Sequence, residues 1–106
     1  MRWSRPGTDE VTVWKDMLEC NYASPFDGIR GLDGADRTFD ETVATMICME
    51  RTGYAYSERG QKVKVCERYK SNASCLPGAA IPLPEAGRRL NGGYCKKYPQ
   101  SRACVP

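Results

Sequence analysis

The stretch TFDETVATMICMERTGYAYSERGQKVKVC, residues 38–66, decides the fold, because one run holds a helix start, a periodic body, a helix stop and a hairpin. Thr38 and Glu41 have the capping-box spacing, with the hydroxyl placed for an early helical N–H and the carboxylate reaching back. Phe39, Val43, Met46 and Ile47 recur at i, i+4, i+7 and i+8, one apolar face of a 3.6-residue period. Asp40, Glu41, Glu50 and Arg51 fall off that face. Gly53 offers a left-handed stop, and the acidic start and basic end complement the helix dipole. The pattern predicts a helix over about 39–52 whose apolar face needs a sheet to cover.

Beyond the helix, residues 53–56 and 61–70 read as two strands joined across 57–60. Alternation in the second strand puts Val63, Val65 and Tyr69 on one side, toward Phe39, Val43 and Ile47, and Lys62, Lys64, Arg68 and Lys70 on the other. The expected sheet has a core face and a positively charged outer face. Such charges also discourage edge pairing.

On the N-terminal side, residues 21–37 form a long loop punctuated by Pro25, Asp27-Gly28 and Asp33-Gly34. Asp27, Asp33 and Asp36 lack the EF-hand order of ligands, so turn chemistry accounts for them better than calcium does. Val11 to Leu18 is rich in strand formers and is expected as a strand, with Trp14 on a core face. Residues 1–10 are expected as a flexible lead-in with Trp3 incidental, followed by a single domain over 11–106.

On the C-terminal side, closely spaced prolines oppose regular structure before Pro84, with Ile81 and Leu83 expected to tuck into the core. Arg88 and Arg89 precede Asn91-Gly92-Gly93, which reads as a hairpin or bulge. Lys96 and Lys97 lie between Tyr94 and Tyr98. That interleaving can suit single-stranded nucleic acid, but turn chemistry with tyrosines packed on a disulfide explains the segment more simply.

A chain of 106 residues holds one small core and no deep cleft between lobes. Six cysteines, Cys20, Cys48, Cys66, Cys75, Cys95 and Cys104, with no C-x-x-C pair and no histidine, read as three disulfides rather than a metal cluster. Their connectivity stays open among the many pairings that six cysteines allow. Asn72-Ala73-Ser74 is a glycosylation sequon that fits a secretory route. No stretch has the apolar length of a membrane span, and residues 1–10 lack a signal-peptide core, so a mature or recombinant form is expected. The net charge of +3 permits attraction to anionic surfaces without implying nucleic-acid binding.

The lack of histidine removes Ser-His-Asp and Cys-His nucleophile activation and the usual zinc sites. A carboxylate pair drawn from Asp27, Asp33, Asp36, Glu50, Glu58 and Glu67 could serve glycoside hydrolysis only at a separation that sequence spacing does not set. No enzyme, cofactor or metal is expected.

The order of a helix bearing Cys48, then Arg51-Thr52-Gly53-Tyr54, Cys66, Gly92-Gly93-Tyr94-Cys95-Lys96-Lys97-Tyr98 and Cys104-Val105-Pro106 resembles the small secreted cysteine-rich proteins of plant-associated fungi. The resemblance covers residues 38–106 and lacks the adjacent cysteine pairs that many such proteins carry. A second likeness is to effectors that keep a fungal ribonuclease-like fold, a helix on an antiparallel sheet, without the catalytic residues. These resemblances imply a non-enzymatic effector or virulence-type protein that binds a host or competitor molecule.

The expected fold is therefore α+β, one helix packed on a small antiparallel sheet of about three to five strands and closed by disulfides. The expected function is binding. Lys62, Lys64, Arg68 and Lys70, joined by Arg88, Arg89, Lys96 and Lys97 where the fold brings them near, would meet a host or competitor protein or an anionic glycan or lipid surface. The alternative is a secreted toxin or protease inhibitor that presents residues 22–37, led by Arg30 or Arg37.

Overall fold

The computed structural model describes residues 2–25 and 38–106. These form an α+β fold in the order β1 (Arg2–Ser4), α1 (Glu10–Glu19), α2 (Phe39–Arg51), β2 (Ala55–Glu58), β3 (Gln61–Val63), α3 (Val65–Arg68), α4 (Ala86–Leu90) and α5 (Gly93–Lys97). Single 3-10 turns lie at Ala73–Cys75 and Arg102–Cys104. The sheet is antiparallel with order β1-β2-β3.

α2 begins and ends as its sequence specifies. The Thr38 hydroxyl accepts from the Glu41 N–H at 3.1 Å and the Glu41 carboxylate accepts from the Thr38 N–H at 3.1 Å, closing the capping box. At the other end Gly53 has φ +97°, Gly53 N–H donates to Glu50 C=O and Tyr54 N–H to Met49 C=O, a Schellman stop. The helix is more deeply enclosed than a single apolar face requires. Every residue from Val43 to Met49 is buried, and Thr45 satisfies its hydroxyl by donating to Glu41 C=O at 2.9 Å. Phe39, assigned to the core face, is 56% exposed and only meets the Tyr69 ring edge-on.

The β2–β3 hairpin turns through Arg59 (φ +50°) and Gly60 (φ +81°), the positive pair that a two-residue type I′ turn demands. β3 stops at Val63, however, and residues 65–68 coil into α3 instead of continuing to Lys70 as a strand. Val65 and Tyr69 are four residues apart, a spacing that fits both period 2 and period 3.6, so alternation alone could not separate the two states. The Glu50 carboxylate decides locally by accepting the Val65 N–H at 2.9 Å.

Residues 11–18, expected as a strand, lie within the helix α1. Asp9 caps it by accepting the Thr12 N–H at 2.8 Å, and Asn21, at φ +88°, closes a second Schellman stop with Tyr22 N–H on Met17 C=O. Helical spacing gives α1 two buried stripes. Met17 and Cys20, with Val13, join the main core, while Leu18, with Trp14, joins a smaller one around Tyr94, Cys95, Ala103 and Cys104. Tertiary demand for two apolar faces overrides the strand propensity of Val11 and Val13.

The lead-in is also part of the core. Trp3 pairs with Tyr56 across β1–β2, and Tyr56 with Val63 across β2–β3, making one inward row. Trp3 is buried, its ring centroid lies 5.0 Å from that of Tyr56, and its indole N–H donates to the Tyr22 hydroxyl at 3.0 Å. Toward the C-terminus Ile81 packs on the core, but Leu83 is 72% exposed. The hairpin expected at Asn91-Gly92-Gly93 is the junction of α4 and α5. Gly92 is needed there because a Cβ would come within 2.9 Å of Arg88 C=O.

All six cysteines are bridged, as Cys20–Cys48, Cys66–Cys75 and Cys95–Cys104. Replacing Trp3→Ala removes a buried ring and its hydrogen bond, and should lower stability by about 3–5 kcal/mol in urea unfolding. A loss under about 1 kcal/mol would mean that β1 is dispensable.

Candidate functional site

The basic residues singled out in the sequence separate into four environments. Lys62 and Lys64 are exposed, and among the described residues neither has an ion-pair partner. Arg68, also exposed, lies 3.6 Å from the Glu58 carboxylate, with its guanidinium 5.8 Å from the Tyr69 ring centroid. These three share one feature, a groove of about 830 Å³ between the end of α2, the hairpin and α3. Lys70 is exposed beyond α3 and does not line that groove.

The groove's remaining walls come from residues outside the basic set, among them Glu50 and Glu67 of the candidate carboxylates. Glu50 and Tyr54 bring the end of α2, Ala55 the start of β2, Val63 the end of β3 and Glu67 the turn of α3. Its surface is mainly apolar, with lysines on the sheet side and carboxylates on the helix sides. Glu50 is oriented by its bond to the Val65 N–H, so the capping of α3 and the shape of the groove are one arrangement. No sequence periodicity marks Glu50 or Tyr54, because they reach the site only through the Schellman turn and the bend after β3.

Arg88 and Arg89 are structural. Arg89 is 5% exposed and places its guanidinium 2.8 Å from the Glu19 carboxylate, while donating to Ala103 C=O at 2.9 Å and Val105 C=O at 2.8 Å. Arg88 donates to the Glu19 and Leu83 carbonyls and lies 3.6 Å from Glu85. Both line a separate hollow of about 300 Å³ at the end of α1. Their donors are turned inward to carbonyls and carboxylates, so they add little to a charged surface. Lys96 and Lys97 are exposed on α5, with Lys97 stacked 5.7 Å from the Tyr98 ring centroid.

Two further clusters carry polar chemistry. Arg5 lies 4.4 Å over the Tyr54 ring, donates to Thr52 C=O at 2.9 Å and pairs with Asp16 at 3.4 Å, while the Tyr54 hydroxyl donates to the same Asp16 oxygen. This ties β1, α1 and the end of α2 together. At the sequon, Asn72 is half-buried and its side-chain oxygen accepts the Ser74 N–H at 3.0 Å, while the Ser74 hydroxyl donates to Asp40 C=O. Among the described residues no group of three or more acidic or cysteine side chains is placed to hold a metal ion. Asp27, Asp33, Asp36, Arg30 and Arg37 lie outside the described residues. Of the 22–37 loop, Tyr22, Ala23, Ser24 and Pro25 are described, and all four are buried.

No helix among the described residues is long and apolar enough to cross a membrane. No protein-family model, curated protein or solved structure matches the chain.

Arg89→Ala would leave Glu19 and two carbonyls without their donor, and should cost about 3–5 kcal/mol in urea unfolding. Lys62→Ala should stay within about 0.5 kcal/mol, and equal losses from the two would remove the distinction between structural and free cations.

The alkaline limit of the fold follows from its tyrosines. Burial, with the Glu58 carboxylate second, pushes Tyr56 up from 10.0 to about 12. Burial raises Tyr22 as well, and burial together with the Asp16 hydrogen bond raises Tyr54. A raised folded value favours the neutral phenol, so this contribution is whole below the unfolded value of 10.0 and drains away as pH climbs toward about 12. Tyrosinate absorbance and near-ultraviolet dichroism should therefore change together above pH about 10. Tyrosines that titrate at their ordinary value with the fold intact would contradict this.

Proposed function

We propose that this protein is a secreted, non-enzymatic binding protein of the effector kind, which acts on a host or competitor molecule by holding an anionic group in the groove between α2, β3 and α3. Three disulfides in a small chain suit an oxidising, extracellular setting. The observation that carries the reading is the pair Lys62 and Lys64, exposed and without carboxylate partners among the described residues, along one wall of a mainly apolar groove.

Two lysines that repel each other are tolerated on a surface because water screens them. Beside an apolar wall the screening is weaker, so an anion that displaces groove water gains more there than at an open surface. The same wall supplies contact area, which isolated surface ion pairs lack.

The test compares Lys62→Glu/Lys64→Glu with Lys96→Glu/Lys97→Glu, an identical charge change on a different face. Both are titrated, beside the unaltered protein, with dodecanoate, a heparin oligosaccharide and phosphatidylserine-containing vesicles. At least one anion should bind the unaltered protein, weakened about tenfold or more by the first pair and under about threefold by the second. Failure to bind any of the three, or equal weakening by both pairs, would overturn the proposal.

A further inference from the structure

The groove's shape and charge count narrow the chemistry of its occupant, given the anion-binding reading above. A polyanion such as a glycosaminoglycan or nucleic acid follows a row of cations, each replacing a released counterion. Here the row is short. Lys62 and Lys64 stand free among the described residues, Arg68 already faces Glu58, and Arg88 and Arg89 are turned inward elsewhere. The groove is also lined by the Glu50 and Glu67 carboxylates, with Glu67 exposed, so a second negative charge laid along it would meet carboxylate.

The apolar component is larger than a charge-binding surface needs. Tyr54, Ala55 and Val63 line the groove, and the side chains of Lys62 and Lys64 add aliphatic stems whose ends can turn to a head group. About 830 Å³ falls within the range of small-molecule pockets, and the mainly apolar wall with a few convergent polar groups matches their chemistry. One negative end and one apolar body satisfy the lysine wall, the apolar wall and the carboxylate walls together.

We infer that the occupant of this groove is a single-chain amphipathic anion, with its carboxylate or phosphate head against Lys62 and Lys64 and its hydrocarbon body along Tyr54, Ala55 and Val63. The lysines provide direction, and the apolar wall provides most of the affinity. Glu67 limits the head to one end and disfavours a dianion extended along the groove.

The experiment titrates the intact oxidised protein with dodecanoate below its micelle concentration, following backbone amide resonances. Octanoate, acetate and a neutral dodecyl glycoside serve as controls. Dodecanoate should saturate at one molecule per chain and shift the amides around Ala55, Val63 and Val65. Octanoate should bind at least about tenfold more weakly, since each buried methylene contributes up to about fourfold. The neutral glycoside should lose about tenfold, and acetate should not saturate. Ala55→Glu, which sets a charge in the apolar wall, should abolish dodecanoate binding, and the exposed Lys62→Glu/Lys64→Glu pair should weaken it about tenfold. Heparin or vesicles binding through Lys62 and Lys64 while dodecanoate does not would overturn this inference and leave the anion-binding function standing. Absence of binding by every anion would overturn both. Dodecanoate that binds at several equivalent sites, or indifferently to both substitutions, would overturn the assignment of this groove.

Discussion

The bridge between Cys20 and Cys48 is the constraint on which the remaining architecture depends. It joins the end of α1 to the last turn of α2, and both cysteines are buried, at 0% and 1% exposure. A loop closed over a separation of 28 residues removes about 3–4 kcal/mol of unfolded-chain entropy. A domain of this size otherwise has little margin, because it buries a smaller share of its surface than a larger one. With α1 held against α2, Met17 and Tyr22 meet Val43, Met46 and Met49, and the inward row of Trp3 and Tyr56 closes the same cluster.

α1 then serves as the wall between two cores. Its second stripe, Trp14 and Leu18, receives the C-terminal segment, where Cys95–Cys104 and buried Arg89 hold the chain. Burying a guanidinium is costly unless its donors are satisfied, and Glu19 together with the Ala103 and Val105 carbonyls provides that satisfaction. Arg5 has a comparable role one turn earlier on α1, between Asp16, Thr52 C=O and the Tyr54 ring. Cations that composition alone would assign to a surface are therefore partly internal ties.

The groove depends on a different bridge. Cys66–Cys75 fastens α3 to the 3-10 turn at Ala73–Cys75, which packs on α2 through contacts that include the Ser74 hydroxyl on Asp40 C=O. The bend after Val63 thus brings Glu67 and Arg68 to line the same groove as Lys62 and Lys64. The residues that line the groove are therefore positioned by covalent and capping interactions.

The capping box, the apolar repeat of Val43, Met46 and Ile47, the Gly53 stop and the three-disulfide composition were legible in the residues; the hairpin was legible too, but its connection, expected over 57–60, is the tighter Arg59-Gly60 turn, with Ser57 and Glu58 paired in β2. Lys62 and Lys64 were legible as an outward pair as well. Tertiary structure decided where local signals were degenerate or silent. Residues 11–18 fit a strand by propensity, and became a helix because two cores needed a shared wall. Val65 and Tyr69 fit both periods, and the carboxylate of Glu50, fifteen positions from Val65, selected the helical turn. Trp3 and Arg89 carry no local pattern that tells their roles, and the turn signal at Gly92 does not tell a hairpin from a helix junction; those roles are set by Tyr22 and Tyr56, by Glu19 and the C-terminal carbonyls, and by the close approach of the Arg88 carbonyl. Short-range hydrogen bonding and periodicity are encoded within a few residues, whereas burial and charge pairing depend on which distant segments the folded chain places in contact.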